Sequence, residues 1–78
     1  MSAMKELVEY MAKSLVNDPT AVVVREIEGS SATIFELSVA SDDMGRIIGK
    51  QGRVANAMRT LLRVAAVKDG KRVTLEIV

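Results

Sequence analysis

The chain has 78 residues, of which 49% are hydrophobic, 27% are charged and 3% are aromatic, and its formal net charge is +1. This length fits one small domain, and the scarcity of aromatic residues requires an aliphatic core and excludes an RNA-binding surface of several stacked rings. The sequence contains no cysteine and no histidine, which excludes disulfides and thiolate metal sites and leads us to expect no metal and no cofactor.

The first predicted element is an amphipathic helix close to the N-terminus, with Ser2 as a candidate N-cap. Its apolar residues recur at the spacing of one helical face. They are Met4, Leu7, Val8, Met11, Ala12, Leu15 and Val16. The segment Asn17-Asp18-Pro19 ends the helix, because proline disfavours helical geometry in the residue before it and has no N–H to donate.

Two β-strands joined by a short turn are predicted next. The first, Ala21–Glu28, is rich in valine and isoleucine, the turn is formed by Gly29 and Ser30, and the second strand is Thr33–Val39. Alternate residues of the second strand face opposite sides. One side carries Phe35, Leu37 and Val39, and the other carries Ile34, Glu36 and Ser38. The short connection predicts an antiparallel hairpin.

A short helix and a longer one follow the hairpin. The residues Ser41, Asp42 and Asp43 are typical of a helix start, with a capping hydroxyl and acidic side chains in the first turn. The longer helix is predicted over Arg53–Val67. Its apolar face consists of Val54, Met58, Leu61, Leu62 and Ala65, and its polar stripe consists of Arg53, Asn56, Thr60 and Arg63.

The last predicted element is a strand, Arg72–Val78, which follows a turn at Asp69 and Gly70. Its apolar and polar residues alternate strictly, as in a strand with one buried face. The complete order is α-β-β-α-α-β. It predicts one α+β domain over residues 1–78, in which three helices cover one face of a three-stranded sheet.

The small net charge conceals a strong segregation of charge along the chain. Residues 1–45 carry three bases and eight acids, whereas residues 46–72 carry eight bases and one acid. Such an asymmetry indicates a side that faces a polyanion. The alternative is a helix face that is charged only for solubility, and the charge pattern alone does not decide between the two.

The loop between the two helices contains Gly49 and Gly52, separated by two residues. Glycine adopts backbone angles that other residues avoid and lets a ligand approach the main chain closely. The second glycine lies at the start of the long helix, where free N–H groups and the helix dipole favour an anion. With Lys50 at the loop tip and Arg46 and Arg53 beside it, the segment predicts a clamp for the phosphates of a polymer.

An ordinary connection between two helices, in which the glycines only provide the bend, is the alternative interpretation of this loop. A G-x-x-G pattern alone is weak evidence, because short motifs recur by chance. Here the pattern follows a strand and a short helix, is preceded by Ile47 and Ile48, and opens a basic amphipathic helix. This combination favours the functional interpretation.

The segment Ile48-Gly49-Lys50-Gln51-Gly52, in this order of elements, resembles a KH domain of the type II topology, and the resemblance covers essentially the whole chain. The string Met44–Leu62 is similar to the small single-domain bacterial KH proteins of the KH domain protein A family. The resemblance implies a cytoplasmic RNA-binding protein and RNA chaperone that pairs with a larger KH-containing protein. It also implies a link to cell-length control and peptidoglycan homeostasis.

KH domains hold about four nucleotides of a single strand, and the resemblance implies a role for each loop residue. Gly49 and Gly52 allow close approach of the sugar-phosphate chain, Lys50 supplies charge to a phosphate, and Gln51 hydrogen-bonds one. The two flanking arginines add steering charge. The predicted RNA-binding residues are Arg46, Ile47, Ile48, Gly49, Lys50, Gln51, Gly52 and Arg53.

An aliphatic floor for the bases is the implied role of Ile47, Ile48 and Val54, although core packing is an equal alternative for each isoleucine. Further along the long helix, Arg59 and Arg63 are interpreted as flanking charge. The absence of aromatic rings indicates modest affinity for each nucleotide. Weak modules gain affinity by pairing, so we expect a dimer, with a second KH-type protein or with itself.

One position departs from the family pattern. Ala55 stands where many KH domains have a bulky aliphatic residue, whereas Met58 matches. A smaller residue changes the shape of the groove, so the resemblance implies the backbone clamp but not the base preference.

Three other functions remain as alternatives. A protein-interaction module with a vestigial loop would dock a partner through the first helix or a sheet edge. A single-stranded DNA ligand is a variant of RNA binding, because no reader of the 2′-hydroxyl is identified. An enzyme is disfavoured, because the sequence suggests no arrangement of nucleophile, base and orienting group.

No membrane contact is expected from the sequence. No apolar run approaches the roughly 18 residues of a membrane span, and Lys5, Glu6 and Glu9 interrupt any apolar segment of a signal peptide. The expected compartment is the cytoplasm.

Overall fold

The computed structural model describes residues 3–78, which form helices and strands in the predicted order. The elements are α1 (Ala3–Leu15), β1 (Val23–Glu28), β2 (Thr33–Ser38), α2 (Met44–Ile48), α3 (Arg53–Lys68) and β3 (Val73–Ile77). The candidate N-cap Ser2 lies outside the described residues. The predicted α+β class is confirmed, with the element order of a type II KH fold.

The three strands form one mixed sheet in the order β1-β2-β3. β1 pairs antiparallel with β2, and Val24 lies opposite Leu37, which confirms the predicted hairpin. β3 pairs with the other side of β2 in parallel, and Phe35 lies opposite Leu75. Both β1 and β3 are therefore edge strands, and β3 presents its free edge beside α3.

The core lies between one face of the sheet and the helices, since α1 packs on β1 and α3 packs on β3. Its largest fully buried side chains are those of Phe35, Leu37, Ile47, Leu62 and Val8. The predicted alternation of β2 is confirmed, because Phe35, Leu37 and Val39 are buried and the residues between them are not. A close-packed aliphatic core of this kind fixes the helices that carry the loop.

The buried stripe of α3 differs from the predicted one. Leu61, placed by its spacing on the apolar face of the helix, is 56% exposed. The buried residues of the helix are Ala55, Met58, Leu62 and Ala66. Leu61 lines a groove between α3 and α1.

Two short 3-10 turns lie where the sequence predicts the start of the first strand and the start of the short helix. Pro19–Ala21 forms a 3-10 turn, because proline pre-sets the required backbone angle, and β1 therefore begins at Val23 rather than Ala21. Ser41–Asp43 forms another 3-10 turn, and α2 begins only at Met44. The prediction that the Ser41 hydroxyl caps a helix is wrong, because no side-chain capping bond forms there.

Asp43 has a different role from the predicted one of acidic charge at a helix start. Its carboxylate is buried and accepts hydrogen bonds from the backbone N–H groups of Asn17 and Asp18, at 3.1 Å each. Its Oδ1 atom also lies 3.5 Å from Nε of Arg46. Asp43 thus ties the end of α1 to the start of α2, the helix that leads into the glycine loop.

Within residues 3–78, none of the helices is both long and apolar enough to cross a membrane.

Candidate nucleic-acid interface

The glycine loop reverses the chain between α2 and α3 in a single tight turn. α2 ends at Ile48, a 3-10 turn covers Lys50–Gly52, and α3 begins at Arg53. Three residues have positive φ angles: Gly49 at 75°, Gln51 at 57° and Gly52 at 75°. Gln51 is the only non-glycine residue among those described with such an angle, and backbone strain of this kind is typical of ligand-binding loops.

Gly49 is packed directly against the first turn of α3. A Cβ atom at Gly49 would lie 2.4 Å from Cγ2 and 2.8 Å from the backbone nitrogen of Val54. No real side chain tolerates such distances, so only glycine fits. At Gly52, by contrast, a Cβ atom would meet only the Asn56 side chain, at 3.9 Å. The left-handed backbone at this position therefore requires glycine, and the missing side chain leaves open space above the loop.

The N-terminus of α3 lies open beside this space. The helix is 16 residues long, and no side chain caps its first turn. The N–H of Arg53 donates to the backbone oxygen of Lys50 in the preceding 3-10 turn, and the helix dipole gives this end of α3 a partial positive charge. An anionic group such as a phosphate would interact favourably with the dipole.

Two cationic side chains, those of Lys50 and Arg53, belong to the turn and to the first residue of α3, and a third lies on α2. Lys50 is exposed at the loop tip. The guanidinium of Arg53 donates from Nη2 to Oε1 of Gln51 at 3.4 Å, which holds both side chains over the turn. Arg46 is the third, and its side chain is 55% exposed although Nε is near the Asp43 carboxylate. The loop therefore offers backbone donors and positive charge on one surface.

The two isoleucines before the loop separate into different roles. Ile47 is fully buried in the core. Of the two interpretations of this residue from the sequence, base contact and core packing, core packing is therefore the one that applies. Ile48 is 41% exposed beside the loop and is available to a base. Val54 is half-buried and lies under Gly49, whereas Ala55 is buried in the core.

A narrow groove runs between α3 and the free edge of β3. Its lining includes Arg59, Leu62, Arg63, Thr74 and Leu75. Arg59, interpreted from the sequence as solvated or flanking charge, is half-buried, and its Nε donates to the backbone oxygen of Leu75 at 3.2 Å. No spacing in the sequence signals this contact, since it joins a helix to a strand edge 16 residues away.

Together these features suit the binding of a single polyanionic strand. The loop offers donors and cations to phosphates, while Ile48 and the groove offer apolar and polar surface to bases. Among residues 3–78, no group of three or more acidic side chains is placed to hold a metal ion.

Comparison with known families gives a match over nearly the whole chain. The family described as "KhpA/KhpB, KH domain" matches residues 5–77. The RNA-binding protein KhpA of Clostridium acetobutylicum is 55% identical over 75 residues, which cover 96% of this chain and 100% of that protein. The KhpA of Aquifex aeolicus is 51% identical over 77 residues, which cover 99% and 98% of the two chains.

Solved structures with the same fold include Era of Aquifex aeolicus bound to GDP and AlF4⁻. The match has a TM-score of 0.70 at 23% identity and covers 95% of this chain but 29% of Era. A structure of Era in complex with MgGDPNP and a 16S ribosomal RNA fragment matches with a TM-score of 0.66 at 24% identity, over 95% of this chain and 28% of that one. At these identities the likeness concerns the fold alone.

Proposed function

Because the chain belongs to the KhpA/KhpB family of KH domains, we propose that it binds single-stranded RNA through the loop Gly49–Gly52. The observation that supports this most is the start of α3 directly after the glycine turn, with no side-chain cap and with the exposed side chains of Lys50 and Arg53 beside it. The sugar-phosphate chain lies across Gly52, where a side chain is absent and space is open. Lys50 and Gln51 bind phosphate oxygens, and Arg53 adds charge.

The bases lie toward the groove beside α3, with Ile48 as an apolar contact. The buried side chain of Ile47 packs in the core and anchors α2 there, which fixes the position of the loop that follows α2. With one exposed isoleucine and no ring in the loop, affinity comes chiefly from the phosphates, so binding tolerates many sequences.

Replacing Lys50 and Gln51 together with aspartate tests the site. Two carboxylates at the helix end repel phosphates, and aspartate tolerates the left-handed conformation required at position 51. We expect RNA binding, measured by fluorescence anisotropy with a labelled single strand, to be lost while the circular dichroism spectrum is unchanged.

A matched control uses the single substitutions Lys50→Asp and Lys13→Asp. Both change the net charge equally, but Lys13 is exposed in the last turn of α1 and is not part of the loop. Lys13→Asp should reduce affinity only slightly. Equal losses in the two variants, or an unchanged affinity in the double variant, would contradict the site.

The family resemblance supports a wider role that goes with this site. We propose a cytoplasmic RNA chaperone that acts without enzymatic chemistry, and the link to cell length and peptidoglycan homeostasis follows the same resemblance. Weak, sequence-tolerant contacts suit a chaperone, because such a protein must release each strand after binding it.

Pairing with a second KH domain is a further part of the proposal, supported by an apolar groove between α1 and α3. The groove measures about 470 Å³ and its lining includes Tyr10, Met11, Leu15, Val54 and Leu61. Tyr10 is 72% exposed and Leu61 is 56% exposed. Since Arg53 also borders the groove, a second copy seated there would bring its own loop close to the first, which favours a copy of this chain as the occupant.

The substitution Leu61→Glu tests the pairing. A carboxylate in the apolar groove would be desolvated by a partner, so we expect the dimer fraction in light scattering to fall strongly. The control is Val67→Glu, which places the same charge on a 70% exposed residue of α3 outside the groove. A protein that is monomeric at all concentrations before any substitution would contradict self-pairing.

A further inference from the structure

Arg59 lies across the groove between α3 and β3 and is held at two points. Its Nε donates to the backbone oxygen of Leu75 at 3.2 Å, and its Nη1 donates to Oδ1 of Asn56 at 3.1 Å. Leu75 is only 2% exposed. The half-buried arginine side chain thus covers the middle of the strand edge that lines the groove.

The free edge of β3 would otherwise present Leu75 to a bound base. The N–H of Thr33 donates to the oxygen of Arg72, and the N–H of Val78 donates to the oxygen of Leu37, so Arg72 and Val78 face β2. Successive residues of a strand alternate in direction. Leu75 therefore directs its N–H and C=O away from β2, into the groove.

An uncovered strand edge offers one donor and one acceptor side by side. That pair complements adenine, whose Watson–Crick edge carries an acceptor at N1 and an amino donor at N6. In this chain the acceptor, the oxygen of Leu75, is already occupied by Arg59. The groove presents guanidinium N–H groups in its place, which are donors only.

We propose that Arg59 determines the base preference of this groove and selects guanine over adenine. The inference rests on the proposed binding of single-stranded RNA. Two of the five N–H donors of Arg59 are used within the protein, and the remaining three lie on Nη1 and Nη2. This planar fork matches the O6 and N7 acceptors of guanine, whereas the N6 amino group of adenine would face donors.

The position of Arg59 along α3 suits a base that follows the clamped phosphates. It is six residues beyond Arg53, which corresponds to a rise of about 9 Å along the helix. Arg63 lies one turn further and borders the same groove, but it has no hydrogen bond to β3 among the contacts of the described residues. Only Arg59 is therefore held in a fixed orientation, as selection between bases requires.

Modified bases provide the first test. A labelled strand of about six uridines would carry guanine, adenine, inosine or 7-deazaguanine at one central position. The unsubstituted protein is expected to bind the guanine strand about tenfold more tightly than the adenine strand, because one bidentate pair of hydrogen bonds discriminates between bases by about this factor. Inosine, which keeps O6 and N7, should bind like guanine, and 7-deazaguanine should lose most of the preference.

Variants of the arginine provide the second test. Arg59→Met removes the fork and uncovers the oxygen of Leu75, so the guanine preference should disappear and adenine binding should increase relative to guanine. Arg59→Lys keeps the charge without the fork and should bind the guanine and adenine strands without preference. The matched control, Arg63→Met, should weaken binding to every strand by the same factor.

Each outcome of these tests is informative. A guanine preference that persists in Arg59→Met or in Arg59→Lys, or an adenine preference of the unsubstituted protein, overturns the inference. If Arg59→Met does not fold, Arg59→Lys and the modified bases decide. An unsubstituted protein that binds none of the strands contradicts the proposed function instead, so the two failures are distinguishable.

Discussion

The two glycines of the loop are required for partly different physical reasons. Both have a positive φ angle of 75°, but Gly49 in addition has no room for a side chain, because Val54 packs against its Cα, whereas Gly52 has room. The sequence pattern G-x-x-G treats the two positions alike. Only the structure separates steric exclusion from backbone conformation.

Substitution of each glycine by alanine should therefore have unequal effects on stability. Gly52→Ala places a Cβ in the left-handed region and should lower the free energy of unfolding by about 1 kcal/mol. Gly49→Ala adds a clash with Val54 and should lose about 2 kcal/mol more, within the range for overpacking. Urea denaturation followed by circular dichroism measures both values, and equal losses would contradict the packing of Gly49.

Ile47 and Ile48 illustrate how far the sequence determines roles at this scale. Adjacent apolar residues at the end of a short helix must point in different directions, so the sequence predicts that one can be buried and the other exposed. It does not predict which, because α2 has only five residues and shows no clear periodicity. The packing of the whole helix decides in favour of burying Ile47.

Between elements, the buried carboxylate of Asp43 makes the most specific connection in the described part of the chain. It joins the end of α1, through the N–H groups of Asn17 and Asp18, to Arg46 on α2. Hydrogen bonds to a charged group are stronger than neutral ones, and donors left without an acceptor in a buried site are costly. The orientation of α2, and hence of the loop, depends on this carboxylate.

Asp43→Ala should lower the free energy of unfolding by about 3 kcal/mol, because two backbone donors lose their charged acceptor. The neighbouring Asp42 is exposed, so Asp42→Ala should change stability by less than about 0.5 kcal/mol. Thermal and urea unfolding of both variants measure the difference. Similar effects of the two substitutions would show that the link contributes little.

The elements themselves were largely predictable from the sequence, and the differences have a common origin. Period-two alternation placed β2 and β3 correctly, because each strand buries one face. The helix α3 contacts both α1 and the sheet. Some of its apolar residues therefore pack against α1 and others against the sheet. The sequence pattern does not separate these two surfaces, so it gives one apolar face that includes both the buried Leu62 and Leu61, which lies beside α1.

Contacts across long sequence distances could not be predicted. Asp43 bonds residues 25 and 26 positions away, and Arg59 bonds a strand carbonyl 16 positions away. Local patterns describe charge and periodicity but not which element packs opposite. The candidate loop was visible in the sequence because its glycines and cations are contiguous, whereas the groove beside it is formed by residues from two elements.

Over the whole molecule, positive charge is concentrated in the part of the chain from α2 to β3. Eight of the eleven basic residues lie between positions 46 and 72. Three of them, Arg46, Lys50 and Arg53, flank the open end of α3. Each phosphate that such a side chain neutralises releases counterions, which makes the affinity depend on salt.

The logarithm of the RNA association constant should therefore fall with the logarithm of salt concentration, with a slope near about −2 for a strand of about four nucleotides. Each phosphate contact on a single strand contributes about −0.7 to this slope, so the value corresponds to three contacts. Anisotropy titrations over a range of potassium chloride concentrations measure the slope. A slope indistinguishable from zero would rule out the electrostatic clamp.

The order of strands has a consequence for how copies of the molecule associate at high concentration. The sheet has two edges, and Arg59 covers the middle of one of them. Only the edge along β1 is then open to the addition of another strand. Two copies that join through this edge have none left, so the association ends at a pair, whereas an uncovered second edge would allow growth into fibres. We therefore expect Arg59 to limit association through sheet edges to pairs of molecules.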